Sequence, residues 1–189
     1  MKRVLLLNFG SLGDIHPFVG IGLALKKTGF DVIFGTNASH VPRIQQAGIE
    51  AFGVGPDLRP DDPELIRIVM DSRRGPEILH KKYIFPSAEK GIEDSLPLAQ
   101  KSDLIITGML GYFVPTVAEL AKVPCSMGML APLAYWSAYD PPEIPAIPFI
   151  RPLKFLGPSL LPKLYAALFS VSNSWAEPLQ ESRKKRGLP

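Results

Sequence analysis

Residues 4–9, Val-Leu-Leu-Leu-Asn-Phe, form a short apolar run that ends at Gly10, the pattern of a buried strand entering a tight turn. The period then changes. Phe18, Ile21, Gly22 and Leu25 recur at helical spacing, with Pro17 suited to the first turn and Gly29 to the C-cap. Asp31–Thr36 reads as a second strand, Ser39–Ala47 as a helix capped by Ser39 and closed by Gly48, and Glu50–Val54 as a third strand. A loop over Gly55–Pro63 leads to a short helix, Glu64–Asp71, and a mostly helical stretch, Pro76–Gln100, broken near Pro86. Alternation resumes with strand Asp103–Thr107, helix Val114–Ala121 and strand Pro124–Leu130. Prolines crowd Ala131–Pro158, where no regular element beyond a turn or two is expected. Helices follow at Ser159–Ser170 and Trp175–Arg186.

Strand–helix alternation at this pitch predicts an α/β fold, a doubly wound, mostly parallel sheet with helices on both faces. Ligands of such sheets bind at the carboxyl ends of the strands. That rule selects three loops, Gly10–His16, Gly108–Phe113 and Ala131–Asp140. With 189 residues, 46% of them apolar and 21% charged, the chain has the size and composition of one globular domain.

The single cysteine, Cys125, excludes an internal disulfide and favours a reducing, cytoplasmic setting. Its place in a strand suggests a small buried hydrophobe. The apolar run at Val4 breaks at Asn8, too early for a signal peptide, and no stretch approaches the ~20 apolar residues of a membrane span. His40, His80 and Cys125 lack metal-ligand spacing, so no metal is expected. A net charge of +3 gives no reason to expect nucleic acid, but seven basic and two acidic residues from Ile150 onward make the last part distinctly basic.

The turn Gly10-Ser11-Leu12-Gly13-Asp14-Ile15-His16-Pro17 carries the most chemical information. A Gly-rich turn leading into a helix presents backbone N–H groups and favours anions. It is not a P-loop, because no Lys-Ser/Thr pair follows its second glycine. Nor is it a dinucleotide fingerprint, because the glycines are spaced GxxG and the second strand ends in Thr36-Asn37 without an acid.

The segment Gly-Ser-Leu-Gly-Asp-Ile-His-Pro-Phe, the helix end Lys-Lys-Thr-Gly-Phe-Asp-Val, Thr36-Asn37 and Gln46-Ala47-Gly48-Ile49 resemble the opening of family 1 GT-B glycosyltransferases. The similarity is strongest to the branch with sterol glucosyltransferases, rhamnosyltransferases and glycopeptide-antibiotic enzymes. It is strong over residues 4–55, fair over 102–140, where Ala131-Pro132-Leu133 and Asp140-Pro141-Pro142 fit, and weak in the helical insert. Arg183…Gly187-Leu188-Pro189 looks like the exit from an acceptor domain. The resemblance thus implies that 1–189 is the N-terminal, acceptor-binding domain, with a C-terminal nucleotide-sugar domain absent.

In such enzymes an acceptor hydroxyl displaces a nucleotide from a hexose with inversion, aided by a base and by no required metal or cofactor. A UDP- or dTDP-sugar is the co-substrate, held mainly by the missing domain. The family places His or Asp in a G-[HD]-x-x-P turn, and Asp14 occupies that place. The resemblance therefore makes Asp14 the general base, with His16 able to orient it or the acceptor, and Ser11 with Gly13 near the donor diphosphate. A carboxylate ahead of a helix also gains roughly 0.3–1 kcal/mol from the helix dipole without any catalytic role. His16 reads equally as the residue before a helix-starting proline, and Ser11 as an ordinary turn residue. Relatives with a histidine base often carry an Asp at the end of the fourth strand. Ile105-Ile106-Thr107-Gly108 has no acid, which fits an Asp base.

Met109, Tyr112, Phe113, Leu133, Tyr135 and Trp136 fall in or beside the strand-end loops and would line an apolar pocket for a lipid-, sterol- or polyketide-like acceptor. Between 144 and 170, Ile147, Phe149, Leu153, Phe155, Leu156, Leu160, Leu161, Leu164 and Leu168 have Arg151, Lys154 and Lys163 among them, a basic apolar surface suited to peripheral contact with anionic membrane. Arg183-Lys184-Lys185-Arg186 reads as the solvated last turn of a helix. The chain alone is expected to bind acceptor and turn over nothing. The rival reading is a non-catalytic acceptor-binding or membrane-associating subunit that needs a separate donor-binding chain.

Overall fold

A computed structural model describes residues 1–55, 58–59 and 61–189, with the side chains of Leu133, Val171 and Ser172 outside the described set. Five strands, β1 (Arg3–Leu7), β2 (Asp31–Thr36), β3 (Glu50–Gly53), β4 (Leu104–Thr107) and β5 (Cys125–Met127), form one parallel sheet in the order β3-β2-β1-β4-β5. The apolar first run is thus the central strand. Val4 pairs with Val32 on one side and Leu104 on the other.

Strand side chains alternate between faces, and both faces of β1 are apolar. Val4 and Leu6 join Val32, Phe34, Ile15, Phe18, Ile44 and Ile49 beneath α1 (Leu12–Lys27) and α2 (Val41–Gln46). Leu5 and Leu7 join Ile33, Ile105, Ile92, Val114 and Val117 on the opposite side. A second pair of elements covers the strand ends. They are α3 (Pro63–Met70), whose N-cap Asp62 accepts from the N–H groups of Glu64 and Leu65, and α4 (Gly75–Leu79), which continues into a π-helical turn at His80–Ile84. Beyond them, α5 (Ala88–Ala99) and α6 (Val114–Ala121) complete that opposite face.

The predicted α/β fold is therefore present, and the bounds of β2 and α6 coincide with the expected ones. Four local expectations are corrected. Helix α1 starts at Leu12, not at Pro17, because Ser11 acts as N-cap and Asp14 sits at N3. Pro17 lies inside it, at the sixth position. The Ser39 cap is replaced by a 3₁₀ turn over Ala38–His40 with Asn37 preceding it. Strand β5 is only three residues long and all three are exposed, so Cys125 is an exposed thiol and not a buried hydrophobe.

Helix α7 (Gly157–Ser172) contributes to neither sheet core; Leu161 and Tyr165 instead pack with Ile150, Trp136 and Leu153 in a separate cluster. Helix α8 (Glu177–Lys185) returns to the sheet side. There the basic run is only half solvated. Arg183 pairs with Glu119 at 3.0 Å and Arg186 with Glu89 at 2.8 Å, pinning α8 to α6 and α5, while Lys184 and Lys185 stay exposed. Among the described residues no helix is long and apolar enough to cross a membrane.

Candidate functional site

The chain leaves β1 at Asn8 and reverses at Gly10, whose φ of +116° is open to glycine and strained for other residues. Ser11 follows in extended conformation and α1 begins. The Asp14 carboxylate folds back over the turn. Its Oδ2 accepts both the Ser11 N–H and the Ser11 hydroxyl, each at 2.8 Å. The space beside Gly10 is filled by this carboxylate, since a Cβ there would lie 2.6 Å from Oδ2. Asp14 is thus fixed by its own turn, half-buried at the carboxyl end of the central strand.

This turn forms one wall of a cleft of about 340 Å³. Gly10, Ser11 and Asp14 face Leu65, Ile66, Val69 and Met70 of α3 across it, with Leu58, Arg59, Leu79 and Leu110 closing the sides. The lining is apolar apart from the turn and Arg59. Such a cleft suits an apolar molecule whose single polar group meets the carboxylate. The exposed faces of Ile66 (48%), Val69 (57%) and Met70 (78%) leave this wall open to solvent.

Of the expected site residues, Ser11, Gly13 and Asp14 lie together in the turn, and Ser11 bonds Asp14 directly. His16 does not join them. Two residues on along a helix it points elsewhere, exposed, with its Nε2 3.5 Å from Arg43 Nη1, which donates to it. The aromatic residues chosen for an acceptor pocket separate into different environments. Phe113 is buried in the sheet core, its ring 5.2 Å from Phe9. Trp136 stacks on Tyr165 and Phe169 in the α7 cluster, 5.1 and 4.6 Å away. Met109 is half-buried, Tyr135 is exposed, and the Leu133 side chain lies outside the described residues.

Tyr112 has a partner that spacing did not suggest. His80 Nδ1–H donates to Pro76 O at 2.5 Å, so Nε2 accepts from the Tyr112 hydroxyl at 3.0 Å. Burial among His80 and Phe85 pushes the Tyr112 phenol up, which keeps it a donor. The cleft wall itself, Ile66-Val69-Met70, went unassigned in the sequence. Its signal was present, because α3 carries apolar residues on two faces, Leu65 and Ile68 inward and these three outward.

The doubly wound sheet and a capped acidic turn at the end of β1 define a Rossmann-like domain with its candidate chemistry at the strand ends. No protein-family model matches the chain. It is 33% identical over 90 residues to O-mycaminosyltylonolide 6-deoxyallosyltransferase of Streptomyces fradiae, covering 46% of this chain and 20% of that protein. It is 26% identical over 153 residues to a sterol 3-beta-glucosyltransferase of Arabidopsis thaliana, covering 74% of this chain and 23% of that one. The fold matches the glycosyltransferase SsfS6 of Streptomyces sp. SF2575 with a TM-score of 0.54 at 19% identity, over 68% of this chain and 39% of that chain. A second structure of SsfS6 holds thymidine diphosphate and matches with a TM-score of 0.51 at 21% identity, over 68% and 38%. These neighbours, curated and solved, are glycosyltransferases, and the architecture is that of the Rossmann-like half of a GT-B fold. The chain spans about a quarter or less of the length of the two curated relatives.

Proposed function

We propose that residues 1–189 are the acceptor-binding domain of an inverting hexosyltransferase, completed by a donor-binding domain outside this sequence. The observation that carries this reading is the Asp14 carboxylate, ordered by Ser11, at the mouth of an apolar cleft. An acceptor alcohol seated against Ile66, Val69 and Met70 would present its hydroxyl to Asp14. The carboxylate takes the proton as the oxygen attacks the anomeric carbon, and the nucleoside diphosphate departs from the opposite face. A positioned base contributes about 10²–10⁴-fold. The cleft's apolar lining supports a lipid-, sterol- or polyketide-like acceptor. A nucleotide-sugar donor is supported by the thymidine diphosphate bound to SsfS6, and Ser11 with the helix N-terminus suits the donor's diphosphate. His16, turned toward Arg43, has no part in this scheme.

A peripheral membrane face accords with a hydrophobic acceptor. Residues 144–176 contain no acid and three basic residues, of which Arg151 is paired with the adjoining Glu143. Phe155 (76% exposed), Phe149 and Leu160 stand outward among Arg151, Lys154 and Lys163. The combination of exposed apolar side chains and positive charge suits an anionic lipid surface.

The test is turnover of UDP- and dTDP-sugars with a panel of apolar alcohols. The chain alone, the chain completed with a relative's donor domain, and the completed Asp14→Asn variant are compared. Activity in the completed form only, falling at least 10²-fold with Asp14→Asn while the fold is kept, is expected. A completed form whose turnover survives Asp14→Asn would remove the base assignment. A folded, completed form inactive on every acceptor favours the non-catalytic subunit.

A further inference from the structure

We propose that Asn8, Asn37 and His40 are positioning residues that hold the Gly10–Asp14 turn, and through it the Asp14 carboxylate, at the mouth of the cleft. The proposal rests on the reading of Asp14 as the reactive group. The three side chains are 1%, 0% and 3% exposed, and none lines the cleft. Burying a polar side chain is unfavourable unless it is hydrogen-bonded, so each of the three needs a partner. Their bonds converge. Asn37 Oδ1 accepts the Gly10 N–H at 3.2 Å, His40 Nε2–H donates to the Gly10 carbonyl at 3.0 Å, and Asn8 Nδ2 donates to the Asp14 carbonyl at 2.6 Å.

Both backbone polar groups of Gly10 are therefore held by side chains of the segment after β2, 27 and 30 residues away in sequence. Gly10 is also the residue on which the Asp14 carboxylate rests, so a displacement of its backbone is passed directly to Oδ2. Asn8 has its own seat. A Cβ on Gly108, just past β4, would fall 2.0 Å from Asn8 Oδ1, so the amide fits only because that residue is glycine. The clamp thus joins the ends of β1, β2 and β4 at the one turn where the chemistry is proposed. Apolar residues of similar size would fill the same space and leave the turn unregistered, which is the general use of a fully bonded buried polar group.

The experiment uses the isotope-labelled 1–189 chain, with amide exchange at Ser11 and the Asp14 ¹³Cγ resonance as readouts and exchange at Leu5–Leu7 as the control for global stability. Asn37→Leu and Asn8→Leu are expected to raise Ser11 exchange roughly tenfold or more and to move the Asp14 resonance, with the β1 amides unchanged. Asn37→Asp, which keeps an acceptor oxygen, is expected to return Ser11 exchange toward the wild-type value, while its added charge near the turn leaves the Asp14 resonance shifted. Should Asn37→Leu not fold, Asn37→Ala withdraws the acceptor without adding a branched side chain and carries the same expectation. Equal acceleration at Ser11 and in β1, or an unmoved Asp14 resonance, overturns the proposal. Turnover that survives Asp14→Asn in the completed enzyme refutes the base and leaves these readouts untouched, so the two failures are distinguishable.

Discussion

Gly10→Ala is the substitution on which the geometry of the turn makes the sharpest demand. Two penalties combine. The first is conformational: φ stands at +116°, and a non-glycine residue held in a sparsely populated region costs about 1–3 kcal/mol. The second is steric, because the new Cβ would meet Asp14 Oδ2 at 2.6 Å, Leu110 Cδ1 at 2.9 Å and Asp14 Cγ at 3.0 Å. The Leu110 methyl can rotate away. The carboxylate cannot move without giving up the Ser11 N–H and hydroxyl, a loss comparable to removing a helix cap, about 0.5–2 kcal/mol. Gly29 supplies the reference, since its φ is also positive, +90°, and nothing lies within 4 Å of its Cβ position. The assay is urea unfolding of the chain, its Gly10→Ala and Gly29→Ala variants, Asp14→Ala, and the Gly10→Ala/Asp14→Ala double variant. Gly10→Ala is expected to cost about 1 kcal/mol more than Gly29→Ala. The double variant is expected to be more stable than additivity predicts by about that amount, because both single changes remove the same bonds. In melting temperature this coupling is roughly 2–4 °C for a chain of this size. Additivity within about 0.5 kcal/mol would refute the idea that Gly10 is small in order to seat Asp14.

Val69→Asp and Met70→Asp, on the open wall of the cleft, are expected to change stability by less than about 0.5 kcal/mol while abolishing binding of an apolar alcohol probe, read by fluorescence or calorimetry. Phe155→Glu with Lys154→Glu is expected to release the chain from vesicles containing anionic lipid in a flotation assay, with neutral vesicles binding neither form. Glu89 gives a pH prediction. Hydrogen bonds from Arg186 and Ser182 hold its carboxyl at about 2, below its ordinary 4.5. A depressed folded value stabilises above the unfolded one and is lost as pH falls through the folded one, so the gain is complete above about pH 4.5 and gone near pH 2. The side chain is 40% exposed, which screens the gain to about 1 kcal/mol or less. Melting curves of wild type and Glu89→Gln should therefore differ above pH 5 and converge toward pH 2; a difference that persists at pH 2 would assign the effect to packing.

The sheet was legible because its signal is local. Val4–Leu7 and Asp31–Thr36 are apolar runs bounded by glycine or polar residues, and the buried strands fall there. Pro17 suggests a later start for α1 than the structure has, because Ser11 and Asp14, three apart, supply the stronger start signal. With that start, Asp14 belongs to the helix and His16 to another of its faces. Cys125 was misplaced because a strand's residues say little about its position in the sheet, and β5 is at the edge. Phe113 and Trp136 could not be told from ligand-facing aromatics by spacing, since only the packed structure sends one to the core and the other to α7. The polar clamp was invisible for a simpler reason. Asn8, Asn37 and His40 stand up to 32 positions apart and meet only when β1 and β2 pair.

The strand order has a consequence for how the chain is made. β1 leaves the ribosome first, yet it lies at the centre, with Val4 paired to Leu104 one hundred residues later. At roughly 5–20 residues per second, about 5–20 s of synthesis separate the two strands. In that interval β1, β2, β3, α1 and α2 can close most of the face around Phe18 and Phe34, since its buried residues are already present and only Leu104 and Ile106 of β4 are still to pack against them. The opposite face, with Leu5, Leu7 and Ile33, is covered only once α5 has brought Ile92, and is completed by Ile105 and α6. A nascent chain stalled before α5 has emerged is therefore a half-shielded sheet with one bare apolar side, open to whatever binds apolar segments.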